Sequence, residues 1–204
     1  MCNEKRIKYM SLTKFNPRTT VLLVTMLVTA VIRVLLSWQP GISPMSNFTP
    51  VGAMALFGGA YFSKSYKAYL FPVLTLFLGD IVLNKLVFYH EWRLLYDGWY
   101  WTYGSFALMV LTGQLMIKKV SVTNVVLASV VATLIHWIGT SPACIFFPGS
   151  MYPKTFNGWL TSLVAAIPYE RNLLLSTLIF SGILFGEFEW LQRRFTALQL
   201  KPAL

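Results

Sequence analysis

Charge is what this chain lacks most. Of its 204 residues only 12% are charged, and just 7 are Asp or Glu. Soluble domains carry about 25% charged residues, and half that amount does not cover a soluble surface of this size. The soluble globular classes are therefore excluded, and the bilayer is taken as the solvent. Cysteine is equally scarce: Cys2 and Cys144 are too few and too far apart for a disulfide framework or a zinc-ligand spacing. No apolar signal precedes Cys2, so it is not expected to be a lipoprotein cysteine. The chain contains no P-loop, no HExxH, no G-x-S-x-G and no carboxylate–histidine metal cluster. Nothing in it hydrolyses ATP, so any pumping draws on a partner or a gradient.

What the chain does have is apolar length, with 56% hydrophobic residues. A spanning helix needs about 20 apolar residues. Segments 19–38, 68–88, 98–117 and 120–139 meet this plainly, and 173–190 is apolar until Glu187. The first of these is too long for a signal-peptide core and has no A-x-A-like exit, so it reads as a retained span. Two shorter stretches are ambiguous. Segment 51–62 is rich in Gly and Ala, which suits close helix packing. Segment 157–167 stops at Pro168 and reads as re-entrant or interfacial.

Basic residues resolve the count. With 51–62 spanning and 157–167 not, there are six spans and both termini share a side. That side collects 12 Lys/Arg, among them Arg18, Lys118, Lys119, Arg193 and Arg194, against 4 on the other: Lys85, Arg93, Lys154 and Arg171. The positive-inside rule then predicts an all-α, polytopic six-transmembrane-helix bundle, N-in and C-in, in the cell inner membrane. Residues 1–18 form a basic cytoplasmic tail, 19–190 the membrane domain and 191–204 a cytoplasmic C-terminal tail. The same tally accounts for the net charge of +10 without nucleic acid. The outer loops (39–50, 89–97 and 140–156) are longer and more aromatic than the inner ones, which suggests a binding site opening outward.

Several residues within this frame can carry chemistry. Asp80 lies mid-span, where a carboxylate costs about 2.5–3.5 kcal/mol and needs a partner. Arg33 lies at a depth where the two can meet, either as an ion pair that fixes packing or as part of a ligand site. Asn84, one turn on, shares the face of Asp80. His136 can titrate or bind a ligand, or simply pack beside Trp137. Cys144 stands in a proline-bounded outer loop as a metal or thiolate candidate, or as a small apolar side chain. Thr49 is placed to cap a helix whose first residue is Pro50, with free N–H groups at the outer mouth. Trp99, Trp101 and Tyr103 suit an interfacial belt. Glu189 and Arg193 have the spacing of a structural i,i+4 pair.

The stretches N-F-T-P-V-G-A-M-A-L-F-G-G-A-Y-F (47–62), F-P…L-G-D (71–80) and Y-P-K-T-F-N-G-W-L…A-A-I-P-Y-E-R-N-L-L-L (152–175), with F-G at 185–186, carry a resemblance. They resemble an uncharacterised bacterial membrane-protein family, a domain of unknown function, which in turn resembles the S components of energy-coupling-factor (ECF) vitamin transporters. That resemblance implies a six-helix protein that binds a vitamin or metal-containing cofactor from outside, in a pocket capped by outer loops. It also implies an energy-coupling transmembrane/ATPase module as partner.

The leading expectation is an S-component-like uptake protein for a small organic nutrient, not an enzyme, with no resident cofactor and no metal. Its substrate-binding residues would be Asn47, Phe48, Thr49, Asp80, Asn84, Trp99, Tyr103, His136, Tyr152 and Arg171. Two alternatives stay open. One is an intramembrane enzyme using Asp80, His136 or Cys144, which requires these groups to converge. The other is a ligand-free structural subunit, which requires a filled interior. A cobalamin held through Cys144 requires that thiol to face a large cavity.

Overall fold

The computed structural model of the chain describes residues 17–37, 45–62, 66–146 and 150–199. These residues form six α-helices and no strand: α1 (Pro17–Leu36), α2 (Val51–Tyr61), α3 (Lys67–Leu83), α4 (Trp99–Met116), α5 (Val122–Phe146) and α6 (Phe156–Arg194). A π turn, Asn84–Phe88, extends α3, and a 3₁₀ turn, Thr196–Leu198, follows α6. Four helices are long and apolar enough to cross a membrane: α1, α3 with its π turn, α5 and α6. Large apolar side chains stand exposed along them, such as Val24, Leu27, Val31 and Leu35 on α1. Exposed apolar rows of this length suit acyl chains and not water. The aromatic and polar first half of α4 keeps it out of this group despite its 18 residues. Segment 98–117 thus forms the expected helix without joining the group of apolar spanning helices.

The smallest residues sit at the centre. Helix α2 is buried along almost its whole length, with Ala53, Met54, Ala55, Leu56 and Phe57 inaccessible. Glycine makes this possible. A Cβ on Gly59 would lie 2.1 Å from the Val110 carbonyl oxygen, and one on Gly113 would lie 2.5 Å from that of Leu56. Helices α2 and α4 therefore touch backbone to backbone, the close approach that small residues permit inside membranes. Below this contact Phe57 packs edge-on against Phe185 and Phe188 of α6, with ring centroids 5.5 and 5.8 Å away.

Two sequence expectations are corrected here. Segment 157–167 is not a separate short helix ended by Pro168. It is the first part of α6, which runs unbroken for 39 residues. Proline removes one backbone hydrogen bond and crowds the preceding turn, but both halves of α6 are held by neighbours. Trp137 Nε1 donates to the Leu163 carbonyl at 3.0 Å before the proline, and Tyr61 donates its hydroxyl to Glu189 at 2.7 Å after it. Thr155 caps the start, its hydroxyl accepting from the Gly158 amide. Likewise α5 passes through Pro142 and ends only at Phe146, so Cys144 is helical and not in a loop.

The Glu189–Arg193 pair is also replaced. Glu189 accepts from Tyr61 and from Gln192 Nε2, and no ion pair joins it to Arg193 among the described residues. Arg18, assigned to the tail, lies in the first turn of α1 and is buried. Cys2, Lys5, Arg6, Lys8, Lys14, Lys64, Lys201 and residues 38–44 lie outside the described residues.

Candidate functional site

A cavity of about 610 Å³ opens at the end of the bundle where α1 and α3 finish and α2 and α4 begin. Its wall combines the apolar Leu36, Phe48, Leu76, Leu83 and Phe88 with the polar Asn47, Thr49, Asp80, Asn84, Tyr96, Thr102 and His136. Volumes of roughly 300–1,000 Å³ with a few convergent polar groups are typical of small-molecule sites.

One side of the wall is a charged triad. Arg33 of α1 donates from Nη2 to Asp80 Oδ1 at 2.5 Å, and the Tyr103 hydroxyl of α4 donates to Asp80 Oδ2 at 2.9 Å. Both ionised side chains are largely buried, 12% and 7% exposed. Helix–helix geometry admits this cation: a Cβ on Gly79, beside Asp80, would lie 2.7 Å from Arg33 Nη1. Nε and Nη1 of Arg33 are buried and have no hydrogen-bond partner among the described residues. The guanidinium thus lines the cavity with less than its full set of acceptors. One turn along, Asn84 Nδ2 donates to the Arg93 carbonyl at 3.1 Å, tying the 89–97 loop to the wall.

His136, also on the wall, joins a second buried pair. Nδ1 of His136 on α5 lies 3.0 and 3.2 Å from the two carboxylate oxygens of Glu170 on α6. Glu170 is 6% exposed, and among the described residues its hydrogen-bonding side-chain contact is this imidazole. Sequence reasoning missed it because it stopped the helical segment at Pro168, short of Glu170. An acidic residue within an unbroken apolar helix is itself the signal that could have found it, since it must find a buried partner.

The cavity's third element is the segment before α2, clipped to α6. The Ser176 hydroxyl donates to the Thr49 carbonyl at 2.8 Å and accepts from the Thr49 amide at 3.2 Å. One turn earlier Asn172 Nδ2 donates to the Ser46 carbonyl at 2.9 Å. The N-cap of α2 is Pro50 and not the expected Thr49, which precedes it and accepts from the Val51 amide through Oγ1. Asn47 sits at φ 64°, a left-handed conformation that Asn tolerates better than most residues. Above it, burial pushes the Tyr96 hydroxyl up to about 12, so this group stays neutral and able to donate.

Of the sequence-derived candidates, Asn47, Phe48, Thr49, Asp80, Asn84 and His136 line the cavity together. Tyr103 reaches it through Asp80, and Trp99 packs edge-on against Tyr103 with ring centroids 5.8 Å apart. Tyr152 and Arg171 are not on its wall, and Arg171 is exposed. Cys144 is exposed and also off the wall, so it does not face the cavity as a cobalamin ligand would. No hydrogen bond joins Asp80, His136 and Cys144 to one another among the described residues; the first two are committed to Arg33, Tyr103 and Glu170. Met45, Tyr96 and Thr102 belong to the wall and were not singled out from sequence.

No curated protein and no solved structure matches the chain. A family model does, over residues 13–199, and its description is a family of unknown function, DUF6580. That match takes in all six helices and the cavity they enclose, and the chain belongs to this family.

Proposed function

We propose that the protein binds a small organic molecule in the cavity lined by Arg33, Asp80 and His136, as the substrate-binding subunit of an uptake system in the inner membrane. The reading resembles that of the ECF S components. The observation that carries it is the cavity itself, about 610 Å³ with polar and apolar side chains together in its wall. A ligand-free structural subunit would gain more from filling that space, since an unfilled volume forfeits packing on every wall. Cys144 lies off that cavity, and Asp80 and His136 are engaged by Arg33, Tyr103 and Glu170, which supports a binding role over an enzymatic one.

In this reading all six helices span, the short α2 included, with both termini inside. Support comes from charge. Arg18, Lys118, Lys119, Arg193 and Arg194 gather at the helix ends away from the cavity, as the positive-inside rule asks of a cytoplasmic face. The cavity then opens outward. With no nucleotide-binding motif in the chain, energy comes from a coupled transmembrane/ATPase module or from a gradient.

Ligand recognition would rest on apolar contact with Phe48, Leu76 and Phe88, and on hydrogen bonds from Asn47, Asn84 and the Asp80 triad. A thermal-shift screen against water-soluble vitamins tests this. A binder raises the melting temperature of the wild type and not of Ser37→Trp, which places an indole in the cavity. A panel without any stabilising compound, or equal shifts in the two proteins, overturns the reading.

A further inference from the structure

A second pocket, about 390 Å³, lies at the opposite end of the bundle. It is enclosed by the start of α1, the end of α2, the residues after α4 and the last turns of α6. Its charged wall residues are Arg18, Lys118, Arg193 and Glu189, a balance of three cations to one anion.

The anion is already engaged. Glu189 Oε1 accepts from Tyr61 at 2.7 Å and from Gln192 Nε2 at 3.1 Å. Arg18 is a built part of the wall. It donates to Gln192 Oε1 at 2.6 Å and to the Leu198 carbonyl at 2.5 Å, with its guanidinium 5.2 Å above the Phe188 ring. Lys118 and Arg193, by contrast, form no ion pair among the described residues, and both are exposed. Two cations open to a ligand thus face a pocket whose floor holds a fixed third. Ala60, Ile117 and Val120 give the same pocket an apolar side.

Position narrows the occupant. Arg18 opens a helix apolar enough to span a membrane, and Arg193 closes another. The pocket therefore sits at headgroup depth, where basic clefts between helices suit acidic lipid headgroups. The apolar side would meet the glycerol and first acyl carbons, a surface that a free phosphate ion has no use for. We propose that this pocket binds the phosphate of an anionic phospholipid, held between Lys118 and Arg193 with Arg18 behind.

The test uses the full chain, delipidated in detergent, with phosphatidylglycerol and phosphatidylcholine of identical acyl chains added, and bound lipid read by native mass spectrometry. The wild type is expected to retain phosphatidylglycerol preferentially. Lys118→Gln/Arg193→Gln should weaken that retention roughly thirtyfold, at about 1 kcal/mol per basic side chain near the surface and 1.4 kcal/mol per tenfold. Lys118→Arg/Arg193→Lys should restore it, which separates charge from loss of fold. Equal retention of the two lipids, or an undiminished preference in the glutamine variant, overturns the proposal. Inorganic phosphate that binds the wild type but not the glutamine variant, without any lipid preference, assigns the cations to a water-borne anion and overturns the lipid as source.

Discussion

His136, at the wall of the larger cavity on α5, faces Glu170 of the next helix, α6, across 3.0 Å. Glu170 is buried, and this imidazole–carboxylate contact ties the two helices together. A buried acceptor left without its donor costs about 1–3 kcal/mol. His136→Asn and Glu170→Gln should each lower unfolding stability by an amount in that range, and the double variant by less than their sum. A double-mutant cycle in detergent measures the coupling. Additive effects would mean that the two side chains do not interact.

Arg33 and Asp80 form the other buried pair, with Tyr103 as third member. Removing one partner of such a pair strands a charge and costs about 3–5 kcal/mol, whereas replacing both is often far milder. Arg33→Met should therefore be more destabilising than Arg33→Met/Asp80→Asn. Melting temperatures of the purified variants decide it. A double variant at least as unstable as the single one would contradict the ion-pair account.

The backbone contact of α2 with α4 makes Gly59 intolerant of side chains. Gly59→Leu should abolish folded protein, because its Cβ alone would meet the Val110 carbonyl at 2.1 Å. Gly104, on α4, has open space instead: a Cβ there would have nothing within 4 Å. Gly104→Ala should be neutral or stabilising by up to about 1 kcal/mol, since alanine orders a helix at lower entropic cost. Size-exclusion profiles after mild extraction distinguish the two. A well-behaved Gly59→Leu would refute the close approach.

Tyr96 supplies a pH prediction. Burial raises its hydroxyl from the ordinary 10.0 to about 12 in the folded protein. Its stabilising share is complete below pH 10 and is lost as pH rises through 12, because the unfolded chain releases the proton first. Over that interval the wild type should lose roughly 2–3 kcal/mol more stability than Tyr96→Phe, at 1.36 kcal/mol per pH unit. Parallel pH–stability curves for the two proteins would show that Tyr96 is not buried in the native state.

Helical identity, helices apolar enough to cross a membrane and the packing role of the small residues in α2 were legible because each is a local matter of composition and spacing. The pairings that organise the two pockets were not. Arg18 and Gln192 are 174 positions apart, and His136 and Glu170 are 34 apart. No periodicity encodes such partners. Proline misled for the opposite reason. Pro142 and Pro168 are local helix-breaking signals that tertiary contacts on either side override. Six of the proposed site residues reached the cavity because outer-end polar residues on converging helices have few other places to point. Trp99, Tyr103, Tyr152 and Arg171 are not on its wall; the last stands on the outer side of α6, which is one continuous helix and turns Arg171 to the exterior.

The central claim is that the larger cavity holds a small organic molecule. Native mass spectrometry of the full chain, purified in mild detergent from cells grown in rich medium, addresses it most directly. The wild type is expected to carry a discrete organic mass that Ser37→Trp lacks. A wild type that flies empty, and remains empty when the vitamin panel is added, would contradict the account.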